Sequence, residues 1–82
     1  MSIKNVLYLC TQNSARSIIA EAITNYKYSE RLKGYSAGST PSGIINIKTL
    51  NLLDEMKIPT EKLYSKSWDV FGEPNSPSMD YV

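Results

Sequence analysis

One short segment near the amino terminus constrains the fold of this chain more than any other. It runs Cys10-Thr11-Gln12-Asn13-Ser14-Ala15-Arg16-Ser17, directly after an apolar run and directly before an amphipathic one. A short apolar run is typical of a buried strand, and apolar residues at helical spacing are typical of a helix. The segment is therefore predicted to be a loop that joins the end of a strand to the first turn of a helix.

Arg16 is electrostatically misplaced in that first turn. A helix amino terminus has unpaired N–H groups and the positive end of the macrodipole, so it favours anions and disfavours cations. A phosphate-like anion held between the loop amides and the guanidinium would remove the conflict. The alternative is an ordinary solvated arginine, but the context favours an oxyanion site.

Cys10 is the second part of the predicted site. A lone cysteine at the end of a strand is often a small buried apolar residue. Here it faces a helix amino terminus and lies within loop reach of Arg16, and both conditions lower a thiol pKa and favour the thiolate. We interpret Cys10 as a nucleophile, with a structural role as the alternative.

The other residues of the segment support this chemistry. Ser17 is expected to donate to the Cys10 sulfur, the Arg16 fork to hold two oxygens of the anion, and Asn13 to tolerate a left-handed backbone. The predicted catalytic residues are Cys10, Arg16 and Ser17. The predicted oxyanion-binding residues are Thr11, Gln12, Asn13, Ser14, Ala15, Arg16 and Ser17.

Composition excludes several other chemistries. The chain has 82 residues, a net charge of +1, one cysteine and no histidine. Without histidine it offers neither a Cys–His nor a Ser–His pair, nor the usual zinc ligands, so no metal or cofactor is expected. The balanced charge gives no reason to expect nucleic acid or a membrane as partner. A single free thiol favours a cytoplasmic location.

Hydrophobic periodicity predicts a strand, a helix and a second strand in the first half of the chain. Ile3–Leu9 is expected to be a strand buried on both faces, followed by a helix from Ser14 or Ala15 to near Ser29. Leu32–Ala37 is the second strand candidate. This order predicts a parallel sheet with a right-handed crossover.

The second half is predicted to hold a further helix and several short elements. Asn46 is the expected cap of a helix that ends by Ile58 and Pro59. Its expected apolar face consists of Ile47, Leu50, Leu53 and Met56. The other expected elements are single helical turns at Thr60–Leu63 and Ser67–Phe71 and the opening of a third strand at Met79–Val82. Trp68 and Phe71 are expected to pack in the core or in a lid.

Segments spread over nearly the whole chain match a known family. They are Val6–Ser17 with its C-x5-R-S motif, Ala20-Glu21-Ala22, Tyr35–Gly38, Ser65–Phe71 and Met79–Val82. Together they resemble arsenate reductases with the low-molecular-weight protein tyrosine phosphatase fold. The resemblance implies an α/β fold with a three-layer parallel sheet of the flavodoxin-like or phosphotyrosine phosphatase I type. Residues 1–82 would form its N-terminal βαβα portion, as a single incomplete domain.

The resemblance implies a thiol enzyme of arsenical resistance. Cys10 would attack arsenate held by Arg16 and the amides of Thr11 to Ser17, and an external thiol such as glutathione, glutaredoxin or thioredoxin would reduce the adduct. Two alternatives stay open. One is a protein tyrosine phosphatase that hydrolyses phosphomonoesters through a phosphocysteine, and the other is a non-catalytic fragment that binds oxyanions.

The chain departs from the family pattern at three points that affect the expected chemistry. Gln12 stands where the family often has glycine, which predicts a loop backbone that is either slightly different or strained. Ala15 stands where some reductases have another cysteine, so an intramolecular disulfide relay cannot run. The chain also ends before the family's Asp-Pro loop, whose aspartate protonates the leaving group. We therefore expect no assignable general acid, and either a fragment or a unit completed by homodimerisation.

Overall fold

The computed structural model describes residues 3–82. The regular elements are strand β1 at Lys4–Cys10, helix α1 at Arg16–Lys27, strand β2 at Leu32–Gly38, helix α2 at Ile47–Glu55 and a 3-10 helix at Trp68–Gly72. The predicted order of strand, helix, strand and helix is confirmed.

The two strands are parallel and in register, with Cys10 opposite Gly38 at their carboxyl ends. Parallel neighbours need a crossover connection, and α1 supplies it. On the other edge of β1, Tyr81 forms a parallel bridge with Val6, and the Leu7 N–H donates to the Tyr81 carbonyl at 2.9 Å. The predicted opening of a third strand therefore lies beside β1, which is hydrogen-bonded on both edges.

The apolar core forms mainly between the two helices. Ile18 and Ala22 of α1 meet Leu53 of α2 and Ile58 just beyond it, and all four are buried. Helix α1 also packs on the sheet, chiefly on β2. The core therefore fixes the helix that follows the Cys10 loop.

Strand β1 is less buried than predicted. Leu7 is buried, but Leu9 is 41% exposed and Val6 is only partly covered. Helix α1 covers one face of the strands. The face that includes Leu9 has the short 3-10 helix and residues 73–79 near it, with an open cavity between them. The expectation of a strand buried on both faces is wrong within residues 3–82.

Helix α2 presents only part of its predicted face to the core: Leu53 is buried and Leu50 half-buried, as expected. Asn46 caps it as expected, since its Oδ1 accepts from the Lys48 N–H at 2.8 Å. Thr49 and Leu53 are buried, whereas Ile47 is 66% exposed. The Asn46 N–H donates to the Ser14 carbonyl at 2.9 Å, so the start of the helix is tied to the Cys10 loop in this orientation. The expected core positions of Ile47 and Met56 are wrong.

Short-range hydrogen bonds set the remaining boundaries. Helix α1 ends before Ser29, because the Tyr28 carbonyl accepts from both Arg31 and Leu32 and turns the chain into β2. Thr60–Leu63 is a single turn rather than a helical one. The predicted turn at Ser67–Phe71 is confirmed, with Ser67 as its cap. Neither helix in residues 3–82 has the length and apolarity to cross a bilayer.

Candidate active site

The Cys10 loop connects the last residue of β1 to the first residue of α1. Cys10 ends the strand and Arg16 begins the helix. Ala15 occupies the cap position and provides no side-chain hydrogen bond, and the first turn contains no acidic residue. The amino terminus of α1 therefore has no side-chain cap, and the positive end of its dipole lies beside the thiol, which suits an anion.

Two hydrogen bonds converge on the half-buried Cys10 sulfur. The Ser17 hydroxyl lies 2.9 Å from Sγ, and the Asn13 N–H donates to Sγ at 3.3 Å. Partial burial by itself raises the pKa of the Cys10 thiol, but the bonds from Ser17 and Asn13 and the charge of Arg16 outweigh it. The net effect is a lowered pKa, which favours the thiolate.

Asn13 is the centre of the loop, and it is completely buried. Its φ of 49° lies in the left-handed region, which asparagine tolerates better than most residues. Its side-chain Nδ2 donates to Ser17 Oγ at 2.8 Å, and its Oδ1 accepts from the Lys66 N–H at 2.8 Å. Asn13 thus links the sulfur, α1 and a segment that lies 53 residues further along the chain.

Gln12 does not strain the loop. Within residues 3–82, only Asn13 and Lys57 have a positive φ among residues other than glycine. Gln12 is exposed and its φ is not positive, so the left-handed conformation that would favour glycine is absent there. The expectation of strain at Gln12 is wrong.

An open polar cavity of about 280 Å³ lies over the loop. Its lining residues are Cys10, Thr11, Gln12, Ser14, Ala15 and Arg16. Asn13 and Ser17 do not line it, because both are buried and reach the sulfur from the protein interior. The predicted residues therefore separate into a group that faces the cavity and a pair that holds the sulfur from beneath.

A second segment, residues 38–42, forms a wall of the loop that the sequence analysis did not identify. The N–H groups of Ser39, Thr40 and Ser42 donate to the carbonyls of Cys10, Thr11 and Gln12. A Cβ on Gly38 would lie 2.6 Å from the Thr11 carbonyl oxygen, so only glycine allows this approach. The position of Gly38 at the end of a predicted strand is the sequence feature that could have indicated this close contact.

The segment that contains Ser65 and Lys66 contacts the loop on another side, and the sequence analysis did not predict this contact either. Ser65 Oγ donates to the Gln12 carbonyl at 3.2 Å. The Gly38 N–H donates to the Lys66 carbonyl at 2.9 Å. No local pattern links these residues to Cys10, so their role becomes visible only in three dimensions.

The aromatic residues near the 3-10 helix lie outside the Cys10 cavity. Phe71 packs edge-to-face on Tyr35, with ring centroids 5.6 Å apart. Trp68 is 49% exposed and lies with Leu7 and Leu9 on the open face of the sheet. In the described part of the chain, no three His, Cys, Asp or Glu side chains are grouped to hold a metal ion.

Comparison with known proteins finds a family model that matches nearly the whole chain. The family model described as "Low molecular weight phosphotyrosine protein phosphatase" matches residues 5–82. No curated protein matches the chain.

Solved structures share the fold. An arsenate reductase in the phosphate-binding state matches with a TM-score of 0.77 and 22% identity, over 90% of this chain and 56% of that one. The thioredoxin-dependent arsenate reductase of Corynebacterium glutamicum matches with a TM-score of 0.78 and 24% identity, over 98% and 48%. A low molecular weight protein tyrosine phosphatase from T. tengcongensis matches with a TM-score of 0.73 and 24% identity, over 95% and 57%. The chain spans about half the length of these structures, and the predicted N-terminal βαβα portion is confirmed.

Proposed function

Given that the chain belongs to the low molecular weight phosphotyrosine protein phosphatase family, we propose that it acts as an arsenate reductase-like thiol catalyst. In this proposal Cys10 is the nucleophile, Ser17 stabilises its thiolate, and Arg16 holds the oxyanion. The amides of Thr11 to Ser17 supply the other donors. The assignment of arsenate goes beyond family membership and is tested below.

The environment of the Cys10 sulfur is the observation that supports the proposal. Hydrogen bonds from Ser17 and Asn13 reach the sulfur from the interior, while the cavity that Arg16 helps to line opens above it. The thiolate is the reactive form of cysteine, and a guanidinium fork suits the oxygens of a tetrahedral anion. A nucleophile and an anion donor thus share one small polar cavity.

The proposed reaction has three covalent steps. The Cys10 thiolate forms an S–As bond, and one arsenate oxygen leaves as water after protonation. An external thiolate then attacks the Cys10 sulfur and forms an S–S bond, and the electron pair of the S–As bond leaves with arsenic. Arsenic is reduced from the +5 to the +3 state and departs as arsenite, while a further thiol reduces the mixed disulfide.

In this proposal the reductant is an external thiol, because Cys10 is the only cysteine within residues 1–82. Glutathione with a glutaredoxin, or thioredoxin, has the required chemistry. Thioredoxin dependence is stated for the Corynebacterium glutamicum neighbour. We expect the reaction to take place in the cytoplasm, where such thiols are kept reduced.

Phosphomonoester hydrolysis is the second candidate, and the description of the matching family favours it. The same thiolate would attack phosphorus and expel an alkoxide or phenoxide, and water would hydrolyse the phosphocysteine. No external thiol takes part in this reaction, so the two candidates differ in whether thiol is consumed.

An assay of both reactions on one set of variants tests the proposal. Arsenate-dependent consumption of NADPH through a redoxin, and hydrolysis of an activated aryl phosphate, are measured for wild type, Cys10→Ser and Arg16→Lys. We expect Cys10→Ser to abolish arsenate turnover. Arg16→Lys keeps the charge but loses the fork, so a decrease of about 10²-fold or more is expected. Arg31→Lys is the matched control, since Arg31 is exposed in the turn immediately before β2.

Three outcomes would contradict the proposal. Arsenate turnover that survives Cys10→Ser would exclude Cys10 as the nucleophile. Hydrolysis of the aryl phosphate without arsenate-dependent thiol consumption would identify a phosphatase. Saturable phosphate binding that is lost in Arg16→Ala, with neither turnover, would identify an oxyanion-binding protein.

A further inference from the structure

Lys66 is a buried lysine whose ammonium is enclosed by protein groups. Its relative exposure is 9%, and its Nζ lies 3.0 Å from the Ser36 carbonyl oxygen and 3.6 Å from Glu21 Oε1. Ser36 in turn donates its hydroxyl to Glu21. Burial of an ionised amine is unfavourable unless it is paired and hydrogen-bonded, and here it is both. The cluster of Glu21, Ser36 and Lys66 therefore fixes the Lys66 side chain.

The backbone of the same residue holds the Cys10 loop. The Lys66 N–H donates to Asn13 Oδ1 at 2.8 Å, and the Lys66 carbonyl accepts from the Gly38 N–H at 2.9 Å. Lys66 is thus anchored through its side chain between α1 and β2, while its peptide groups contact the loop and the end of β2.

The bond from Lys66 determines which way the Asn13 amide points. A backbone N–H can only donate, so it must face the amide oxygen, and Asn13 Nδ2 must then face Ser17. Because Nδ2 donates to Ser17 Oγ, the Ser17 hydroxyl hydrogen is free to donate to the Cys10 sulfur. The Lys66 N–H therefore determines which group donates in each hydrogen bond from Asn13 through Ser17 to the Cys10 sulfur.

We propose that Lys66 is a positioning residue for the Cys10 nucleophile, acting through Asn13 and Ser17 and anchored by its buried ammonium. The proposal rests on the proposed function of Cys10 as the reactive thiol. It adds a role for a residue that lies outside the C-x5-R loop and does not line the Cys10 cavity.

The surroundings of Lys66 distinguish this role from that of a general base. Burial lowers the pKa of Lys66, and Glu21 opposes that effect by stabilising the ammonium. The charged and titratable groups around it are Glu21 on α1, Tyr35 on β2 and Tyr64 on its own segment, and its Nζ lies 4.4 Å from the Tyr64 ring centroid. Nζ is directed to Ser36 and Glu21, so Lys66 acts on the sulfur only through the Asn13 amide.

The rate of Cys10 alkylation by iodoacetamide, measured as a function of pH, tests the proposal. Cys10 is the only cysteine, so the rate reports the reactive thiolate directly. We expect Lys66→Met to lower the rate at mildly acidic pH about threefold to tenfold and to shift the pH profile upward, because the backbone N–H that holds the Asn13 amide loses its side-chain anchor. Lys66→Arg is expected to restore part of the effect. Lys62→Met, an exposed lysine of the same segment, is expected to leave the profile unchanged.

A double-mutant cycle separates positioning from general destabilisation. Asn13→Ala is expected to shift the profile in the same direction, and Lys66→Met is expected to add little to it, because both act through one bond. An unchanged profile in Lys66→Met, or full additivity with Asn13→Ala, would overturn the proposal. If Lys66→Met does not fold, Glu21→Gln is used instead, because it weakens the ion pair that anchors the Lys66 ammonium. A pH profile of alkylation in Glu21→Gln that equals that of wild type would then overturn the proposal.

This experiment is independent of the substrate. A Lys66-dependent alkylation profile without arsenate turnover would refute the proposed function and leave the positioning role intact. Arsenate turnover together with an alkylation profile that does not depend on Lys66 would support the proposed function and refute the positioning role.

Discussion

Gly38 approaches Thr11 so closely that a methyl group on Gly38 would lie 2.6 Å from the Thr11 carbonyl oxygen. The same Cβ would lie 3.0 Å from the Asn13 nitrogen, whose N–H donates to the Cys10 sulfur. The end of β2 and the loop after β1 are therefore in contact without space for a side chain. This contact makes Gly38 part of the site although it carries no functional group.

Gly38→Ala is expected to displace the loop. The overlap involves backbone atoms that cannot rotate away, so a loss of about 1–3 kcal/mol in the free energy of unfolding is expected. Displacement of Asn13 should also slow Cys10 alkylation near neutral pH. Urea unfolding and the alkylation rate check both effects. Gly72→Ala is the control, because no atom lies within 4 Å of its added Cβ. Equal behaviour of the two variants would contradict the interpretation.

Ser17→Ala is expected to raise the pKa of Cys10. The variant removes the hydroxyl that lies 2.9 Å from the sulfur, and a hydrogen bond to a charged group contributes about 1.5–3 kcal/mol. The alkylation rate at mildly acidic pH should therefore fall about tenfold or more. Ser29→Ala, at an exposed turn, should behave like wild type. A Ser17→Ala profile that overlays wild type would show that the hydroxyl does not stabilise the thiolate.

The stability of the protein is expected to depend on pH through Cys10. Its pKa is lower in the folded chain than in the unfolded one, mainly because the bonds from Ser17 and Asn13 and the charge of Arg16 outweigh partial burial. Between the two pKa values the unfolded state binds more protons, so stability rises with pH there. The contribution is fully present above the pKa of the unfolded-state thiol and is lost as pH falls through the folded-state pKa. Urea titrations at several pH values should show that the free energy of unfolding of wild type rises with pH more steeply than that of Cys10→Ser. The same pH dependence in both proteins would contradict this prediction.

Leu53→Ala is expected to cost about 2–5 kcal/mol in the free energy of unfolding. Leu53 has no exposed surface and joins Ile18 and Ala22 of α1 to α2, so its removal leaves a cavity in the core. Leu52→Ala is the matched control on the same helix, because Leu52 is 43% exposed. Urea denaturation distinguishes the two. Similar losses in both variants would show that the core is not centred on Leu53.

Local patterns were sufficient to predict the strand, the loop and the first helix. The apolar run before Cys10 and the helical spacing after Arg16 each depend on neighbours in sequence, and both were interpreted correctly. Asn46 was likewise identified as a cap from its side-chain chemistry. Burial was harder to predict, because the exposure of Ile47 and Leu9 depends on which distant elements cover them.

The support beneath the loop could not be predicted from sequence. Asn13 was expected to tolerate a left-handed backbone, but the partner of its side-chain amide lies 53 residues away at Lys66. Likewise, Gly38 contacts Thr11 only because β2 lies in register beside β1. Contacts of this kind arise from topology, and no spacing along the chain encodes them.

The missing cap at Ala15 has a practical consequence for handling the protein. At the proposed oxyanion site a bound anion would complete the helix terminus, so we expect phosphate in the buffer to stabilise the fold. Melting temperatures recorded in phosphate and in chloride buffers would then describe two different species, and only phosphate-free preparations would report the intrinsic strength of the fold.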